Sequence, residues 1–329
     1  MTRPVKIISF ILILSLLLVA CSTTADPGST AETLPETLAP QPSVTDSPMP
    51  SDTPTDPAAP TDTPTITTTP DVRLDPADWQ NWPVVPTVSA RAQEIYELGL
   101  EMGNDQARFS KIGDCQNINT YFLDFFDYPN LYTLGEDDAY LQETIDQFSG
   151  SFSRVSTATK GGMNVAAVLS HYWADQERCE SGESPLACEL RLNQPSIALI
   201  SMEESWGSNN KVENYEKYIR QIIETVIDAG VVPILATKAD NLEGDHRINQ
   251  AIANLAYEYD IPLWNFWRAV QDLPNQGLLE DGFHLTHGVN DFSESKNLKQ
   301  AWPVRNLTAL QALDSVWRQL NDLPLPPGS

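Results

Sequence analysis

Along the middle of the chain, short apolar runs alternate with longer stretches in which apolar residues recur every three or four positions. The runs lie at residues 197–200, 231–236 and 262–266, and their lengths are typical of buried strands. The two stretches between them, 215–227 and 248–259, have the spacing of amphipathic helices. This order of strand, helix, strand, helix, strand predicts right-handed crossovers and therefore a parallel sheet.

Similar signals lie nearer the N-terminus. Residues 108–113 have the pattern of a further strand, and residues 164–173 and 89–103 have the pattern of helices. Together the segments predict an α/β fold in which helices cover both faces of a central parallel sheet. Ligands of such sheets bind outside the carboxyl ends of the strands, so the residues that follow each strand are the first candidates for chemistry.

The first residues of the chain have the features of an export signal. Arg3 and Lys6 precede the apolar run 7–18, which is too short for a hydrocarbon core of about 30 Å but suits a signal peptide. The run ends in Leu-Val-Ala-Cys, which resembles the lipobox of bacterial lipoproteins. This resemblance implies that residues 1–20 are removed and that the thiol of Cys21 carries the lipid anchor.

Residues 21–75 differ in composition from the rest of the chain. They are rich in Thr, Ser and Pro, and they contain no basic residue before Arg73. Such a segment predicts a disordered, semi-stiff linker. We interpret it as a stalk between a lipid anchor and a folded domain at 76–329, although unselected low-complexity sequence has the same appearance. The expected location is the cell envelope, outside the cytoplasmic membrane and anchored through Cys21.

The charge of the chain excludes one class of partner. There are 20 Lys and Arg against 45 Asp and Glu, a formal charge of −25, and such a surface repels the phosphate backbone of nucleic acids. The sequence has no glycine-rich phosphate loop and no His, Cys or Asp spacing typical of zinc or calcium. We therefore expect a monomer that uses neither a cofactor nor a metal.

The cysteines separate into distinct roles. Cys179 and Cys188 lie close together in a segment rich in Glu, Ser, Gly and Pro, which predicts a loop. Outside the cytoplasm these two residues are expected to form a disulfide. With Cys21 assigned to the lipid, Cys115 remains. A single cysteine is usually a small buried hydrophobe, and the alternative is a reactive nucleophile.

The residues that follow the predicted strands resemble the motifs of the SGNH (GDSL-type) hydrolase family. Gly113-Asp114-Cys115 is similar to the family's Gly-Asp-Ser turn, and Asp281-Gly282-Phe283-His284 fits its Asp-x-x-His block. Gly161, in a Lys-Gly-Gly-Met segment, fits the glycine block. The resemblance covers roughly residues 107–290. It implies a flavodoxin-like three-layer sandwich, with Cys115 as nucleophile, His284 as base and Asp281 as the residue that orients His284.

The chain departs from the family pattern at two positions. Cys115 stands in place of serine, and a cysteine beside an imidazole forms a thiolate that is competent for acyl transfer. Glu204 stands in place of the asparagine that helps to bind the oxyanion. An ionised carboxylate cannot donate a hydrogen bond, so Glu204 would serve only if burial kept it protonated. Otherwise the backbone N–H groups of Cys115 and Gly161 remain as donors.

These observations predict a surface-anchored hydrolase that cleaves ester bonds by a Cys-His-Asp mechanism, with O-acyl groups of extracellular glycans among its substrates. The alternative is a catalytically impaired SGNH-like domain that binds a carbohydrate or an acyl group. The aromatic residues Trp264, Phe266 and Trp267 line a sugar-stacking cleft in one interpretation and pack in the core in the other.

Histidines outside the Asp-x-x-His block are weaker candidates. His246, beside Asp245 and Glu243, is expected in a solvated loop. His287 is either a second imidazole of the site or part of a surface loop, and His171 is expected on a helix face.

Overall fold

The sheet of the protein is parallel throughout. In a computed structural model, which describes residues 73–202 and 211–326, the strands are β1 Asp105–Gly113, β2 Pro195–Ser201, β3 Val232–Ala236 and β4 Leu263–Trp264. The spatial order is β1-β2-β3-β4, and every neighbouring pair is parallel. The predicted strands are therefore confirmed, since each apolar run falls within or overlaps one of these four.

A single bridge extends the sheet beyond β1. Thr159 pairs in parallel with Gly113, whose other ladder partner is Ser201 of β2, so Thr159 lies on the opposite side of β1. Counted as a strand, this bridge gives the spatial order 2-1-3-4-5 in chain numbering, which is the order of flavodoxin-like sheets. The direction in which successive strands are added to the sheet reverses between β1 and β2, and such a switch point is where ligands of open α/β sheets bind.

Helices form the two outer layers of the domain. The structure describes α1 Ala90–Met102, α2 Leu141–Gln147, α3 Pro185–Asn193, α4 Val212–Asp228, α5 Arg247–Tyr259, α6 Phe266–Val270 and α7 Ala301–Leu320. Helices α3, α4 and α5 pack side by side, and α1 and α2 both pack on α7. The helices predicted at 89–103, 215–227 and 248–259 are confirmed as α1, α4 and α5.

Adjacent residues of β1 show that the two layers lie on opposite faces of the sheet. The ring of Phe109 packs against Phe148 and Phe152, which lie at and beyond the end of α2. The next residue, Ser110, donates from Oγ to Glu189 of α3 at 2.6 Å. Since successive side chains of a strand point to opposite faces, α2 and α3 cover different sides. The predicted three-layer arrangement is therefore confirmed.

The helix predicted at 164–173 is wrong. The segment instead forms two short 3-10 turns, Ala167–Leu169 and His171–Trp173, separated by Ser170 in an extended conformation. The side-chain oxygen of Asn164 accepts hydrogen bonds from the backbone N–H groups of Ala166 and Ala167. This is the N-cap arrangement that starts a helix, but the turn closes early, where the backbone N–H of Ser170 donates to the carbonyl of Ala167 at 3.0 Å. The residues therefore satisfy their polar groups locally, without an α-helix.

The predicted disulfide between Cys179 and Cys188 is present. Cys188, however, lies within helix α3 and not in a loop, because Ser184 caps that helix and Pro185 occupies its first turn. Helix α7 lies outside the predicted elements.

Within the described ranges, no helix combines the length and apolarity needed to cross a membrane. The predicted signal peptide, Cys21 and the linker up to residue 72 lie outside the described residues.

Candidate active site

The residue predicted as nucleophile follows the carboxyl end of β1 directly. Cys115 begins the 3-10 turn Cys115–Asn117, and its side chain is partly exposed. The carboxylate of Asp114 accepts a hydrogen bond from the backbone N–H of Gln116 at 2.9 Å, which caps this turn. The thiol therefore lies at the switch point of the sheet, on a turn whose direction is set by the preceding aspartate.

The glycine of the Gly-Asp-Cys turn is required by its surroundings. A Cβ atom at Gly113 would lie 1.9 Å from Nδ2 of Asn117 and 2.4 Å from the carbonyl oxygen of Ser201. The Asn117 amide crosses over Gly113 and donates to that carbonyl at 2.7 Å, while Ser201 Oγ donates to Asn117 Oδ1 at 2.6 Å. The ends of β1 and β2 are thus joined by a side-chain bridge that only glycine leaves room for.

A buried arginine also contacts this bridge, through Ser201. Arg305 of α7 donates from Nη2 to Ser201 Oγ at 2.8 Å, and its guanidinium carbon lies 4.8–5.2 Å from the ring centres of Phe122, Trp264 and Phe266. Aromatic faces attract a cation at such distances. Trp264 and Phe266 therefore belong to the core, as the second of their two interpretations held.

Asn117, Ser201 and Arg305 are polar residues near the candidate site that the sequence analysis misses. The available signal was Arg305, because it is the one basic residue in the largely apolar stretch 300–317. A fully buried guanidinium is rarely incidental, and it marks a place where the core holds polar groups in fixed positions.

Asp281 and His284 form a close pair. Nδ1 of His284 and Oδ2 of Asp281 are 2.6 Å apart, and Oδ1 of Asp281 accepts from the backbone N–H groups of Phe283 and His284 at 3.0 Å each. The bond from His284, together with these N–H groups, lowers the pKa of Asp281 to about 2. The carboxylate is ionised at neutral pH and holds the hydrogen of the imidazole on Nδ1, so Nε2 is the nitrogen that accepts a proton.

This pair lies at the tip of a small hairpin-like loop. Leu278 and Leu285 form an antiparallel bridge, the backbone N–H of Leu279 donates to the carbonyl of His284 at 2.8 Å, and Gly282 donates back to Leu279 at 3.0 Å. Both side chains face solvent, with 62% of the His284 side chain and 49% of the Asp281 side chain exposed. Local backbone bonds, and not burial, therefore hold the pair in place.

The segments that carry Cys115 and His284 meet at the N-terminal half of α7. Tyr121, six residues after Cys115, stacks on Trp302 with a 5.3 Å separation of ring centres, and its ring lies 5.8 Å from that of His287. Thr286, two residues after His284, accepts at its carbonyl from the N–H of Trp302 at 3.1 Å. The topology thus brings both motifs to one end of the domain, and a direct contact between Cys115 and His284 remains a prediction.

Gly161 lies on the other side of β1. It follows Thr159, whose Oγ1 donates to the carbonyl of Lys111 at 2.9 Å beside the bridge to Gly113. A Cβ atom at Gly161 would meet nothing within 4 Å, so the backbone there is open to an incoming group. This placement beside the end of β1 is compatible with the predicted oxyanion role, which stays a prediction.

A buried ion pair holds the loop that leads to Gly161. Glu189 of α3, fully buried, is bound by the guanidinium of Arg154 and accepts from Ser110 Oγ at 2.6 Å and from the N–H of Thr157 at 2.8 Å. Burial raises the pKa of Glu189, but the bonds from Arg154, Ser110 and Thr157 outweigh it, so the pKa is lowered overall. The pair thereby ties residues 153–159 to the helix layer.

Two other predicted positions have different outcomes. Glu204 lies in 203–210, outside the described residues, so its predicted place at the oxyanion is untested. His287 is exposed in the loop that follows the Asp-x-x-His block, and Tyr121 is its ring partner.

No protein-family model matches the chain. Among curated proteins, the chain is similar to thioesterase 1/protease 1/lysophospholipase L1 from two strains of Escherichia coli. In each comparison the identity is 26% over 136 residues, which is 39% of this chain and 64% of the relative. The chain therefore spans a little less than two thirds of the length of the curated relatives that it matches.

This similarity is distant and covers only part of the chain. The name of these relatives describes hydrolytic activities, and the parallel α/β sheet is compatible with the resemblance of the motifs to the SGNH hydrolases.

Proposed function

We propose that the protein hydrolyses ester bonds through Cys115, His284 and Asp281, with O-acyl groups of extracellular glycans as the substrate class. The observation that carries the proposal is the 2.6 Å contact between His284 Nδ1 and Asp281 Oδ2. A carboxylate in that position fixes the tautomer and orientation of a histidine that acts as a general base.

The proposed reaction has two acyl-transfer steps. His284 Nε2 takes the proton of the Cys115 thiol, and the sulfur attacks the ester carbonyl while the N–H groups of Cys115 and Gly161 bind the oxyanion. The imidazolium returns its proton to the leaving alcohol, which leaves an acyl thioester on Cys115. Water, deprotonated by His284, then cleaves the thioester, so the carboxylic acid leaves and the thiol is restored.

The first experiment uses the whole chain and a small activated acetyl ester. We expect turnover by the native protein, a loss of at least about 10³-fold in Cys115→Ala, and partial activity in Cys115→Ser, which restores the family's hydroxyl nucleophile. Equal rates in the native protein and Cys115→Ala would disprove the nucleophile.

A second experiment follows alkylation of Cys115 against pH. A thiolate paired with an imidazole reacts well below the ordinary thiol pKa of about 8.5. A midpoint at 8.5, in a protein that still folds, would contradict the pairing of Cys115 with His284.

The second candidate function is a binding module, and the residue that favours it is Glu204. A carboxylate in place of an amide donor weakens oxyanion binding, and removal of one such donor typically costs about 10²–10³ in rate. A protein that binds an acylated sugar without any turnover, and in which Glu204→Asn restores turnover, would support this candidate.

We also propose attachment to the membrane through Cys21, on the basis of the Leu-Val-Ala-Cys segment. The test compares the native chain with Cys21→Ser in cell fractions. Recovery of both proteins in the same membrane fraction would contradict lipid anchoring at this cysteine.

A further inference from the structure

A cavity of about 390 Å³ lies beside the loop that carries Asp281 and His284. Its walls come from the loop after β3, from α6 with the turn that follows it, and from Gly282 at the loop tip. The lining residues are Ala239, Asn241, Leu242, His246, Trp267, Gln271, Asn275, Gln276, Leu278 and Gly282. The volume falls within the roughly 300–1,000 Å³ of small-molecule sites.

Four side-chain amides give this cavity its chemical character. Asn241 accepts from the N–H of His246 at 2.8 Å, Gln271 donates to the carbonyl of Trp267 at 2.7 Å, and Asn275 donates to the carbonyl of Leu278 at 2.9 Å. Asn241, Gln271 and Asn275 thus each use one group of the amide within the wall. The other groups, namely Asn241 Nδ2, Gln271 Oε1, Asn275 Oδ1 and the whole amide of Gln276, make no hydrogen bond within the described part of the chain.

The lining is neutral. It contains none of Lys, Arg, Asp or Glu among the described residues, and burial lowers the pKa of His246, so this imidazole is uncharged at neutral pH. The expectation that His246 and Glu243 lie in a solvated loop is wrong. Glu243 is 2% exposed because it binds Lys238 Nζ at 2.6 Å behind the cavity, and His246 packs its ring against Trp79 and Trp267.

The turn that forms one wall has an unusual backbone. Asn275, Gln276 and Gly277 all have positive φ, at 49°, 51° and 75°, and two of the three carry a side chain in this left-handed region. Such conformations cost free energy and cluster at ligand sites. Here the strain places the amides of Asn275 and Gln276 on the cavity side of the loop that carries the catalytic pair.

We propose that this cavity binds a neutral sugar ring of the substrate, the part to which the scissile acyl group is attached. Hydroxyl groups both donate and accept, as the uncommitted amide groups require, and the indole of Trp267 supplies apolar surface for the C–H side of a ring. Of the three aromatic residues considered for a sugar cleft, Trp267 is the one that lines this cavity. The inference rests on the proposed function, because it specifies the alcohol part of the ester.

The experiment compares two kinds of substrate on the whole chain. One is a small activated acetyl ester, and the other is a panel of mono-O-acetylated tetrasaccharides of xylose, glucose and N-acetylglucosamine. For Trp267→Ala and Gln276→Gly, we expect KM on the best tetrasaccharide to rise at least ten-fold and about three-fold, respectively. We expect kcat/KM on the small ester to change less than two-fold.

One fold-preserving variant and one control variant separate loss of sugar binding from loss of folding. Gln276→Gly keeps the left-handed backbone and removes only the amide, so its fold is preserved even if Trp267→Ala unfolds. Tyr172→Ala serves as the aromatic control, since Tyr172 is 84% exposed and lies outside the cavity lining. Unchanged KM on every tetrasaccharide in both cavity variants would overturn the proposal.

A binding measurement separates this proposal from the proposed function. Calorimetry with Asp281→Asn and the deacetylated tetrasaccharides should show binding that Trp267→Ala removes. If the small ester is cleaved but no sugar binds, the cavity proposal fails and the hydrolase stands. If sugar binds through Trp267 but no ester is cleaved, the hydrolase fails and the cavity proposal stands without it.

Discussion

The two sides of the candidate site are built in different ways. On the Cys115 side, Gly113, Asn117 and Ser201 are joined by buried hydrogen bonds, and Arg305 reaches this bridge from the last helix. On the His284 side, an exposed loop holds the Asp281/His284 pair by bonds among its own residues. Cys115 is thus placed by the core of the domain, while His284 is placed by a few local contacts.

This difference implies that stability and catalysis are separable in the protein. A change on the buried side disturbs the fold before it disturbs the chemistry, because close-packed interiors transmit strain. A change on the exposed side alters the chemistry and leaves the free energy of unfolding nearly unchanged. Each of the following predictions tests one side of this contrast.

The largest effect is expected at the exposed pair. In Asp281→Asn the imidazole loses the acceptor that fixes its tautomer, and kcat should fall by about 10⁴-fold. The free energy of unfolding should stay the same, as urea titration will measure. A loss of stability in Asp281→Asn as large as that of a core substitution would contradict the contrast between the exposed and the buried side.

The pKa of Asp281 also gives an expectation for the native protein. Because this pKa is lowered to about 2, the carboxylate stays ionised through the acid range. Loss of native activity between pH 4 and 6 should therefore follow protonation of another group.

The next effect is expected on the buried side. Gly113→Ala would put a Cβ atom 1.9 Å from Asn117 Nδ2, so we expect a loss of more than about 3 kcal/mol in the free energy of unfolding. Gly161→Ala is the matched control, since nothing lies within 4 Å of its Cβ position and its stability should change by less than about 0.5 kcal/mol. Equal stability of the two variants would show that the bridge over Gly113 is not rigid.

A third prediction concerns Lys111, which is buried in the same strand and donates to Asn119 and to the carbonyl of Phe152 at 2.7 Å each. Burial lowers its pKa from 10.5 to about 7, partly opposed by Asp124. Between these pH values the unfolded chain binds more protons at this residue than the folded chain, so stability rises with pH. From pH 7 to pH 9 the native protein should gain about 2 kcal/mol more than Lys111→Met.

Urea titrations of the native protein and Lys111→Met at several pH values measure this gain. Parallel pH profiles for the two proteins would mean that the lysine is solvated.

The smallest effect is expected where the loop with Asp281 and His284 begins. Asn275 donates from Nδ2 to the carbonyls of Leu278 and Leu279, at 2.9 and 3.3 Å, and so fixes the start of the loop that carries the Asp281/His284 pair. Asn275→Gly keeps the left-handed backbone and removes these bonds, so kcat on a small ester should fall about ten-fold with little change in KM.

The control for Asn275→Gly is Gln276→Gly, whose side chain makes no such bond. A ten-fold loss in both variants would indicate a general effect of the turn and not of the Asn275 amide.

Much of this architecture follows from the sequence pattern. Runs such as 197–200 and 231–236 are buried on both faces of the sheet. Their apolar residues are therefore continuous and do not alternate with polar ones, which is the pattern that predicts such strands. The Asp281/His284 pair was predictable for a different reason. Its residues are three positions apart, so the motif contains the whole geometry.

Other features depend on contacts between distant segments, and the pattern of apolar and polar residues within one segment does not predict them. The burial of Lys111 and the cavity at Trp267 arise only when separate segments come together. Their residue types alone favour a surface position for the lysine and leave the tryptophan ambiguous.

The exposure of the Asp281/His284 pair has a consequence for the reaction medium. Water surrounds the imidazole before substrate arrives, so the effective dielectric constant there is high and charge stabilisation is weak. Under the proposed function, a bulky substrate would displace this water when it covers the loop, and so would lower the polarity around the imidazole. The proposed reaction would then be fastest with molecules large enough to cover the loop.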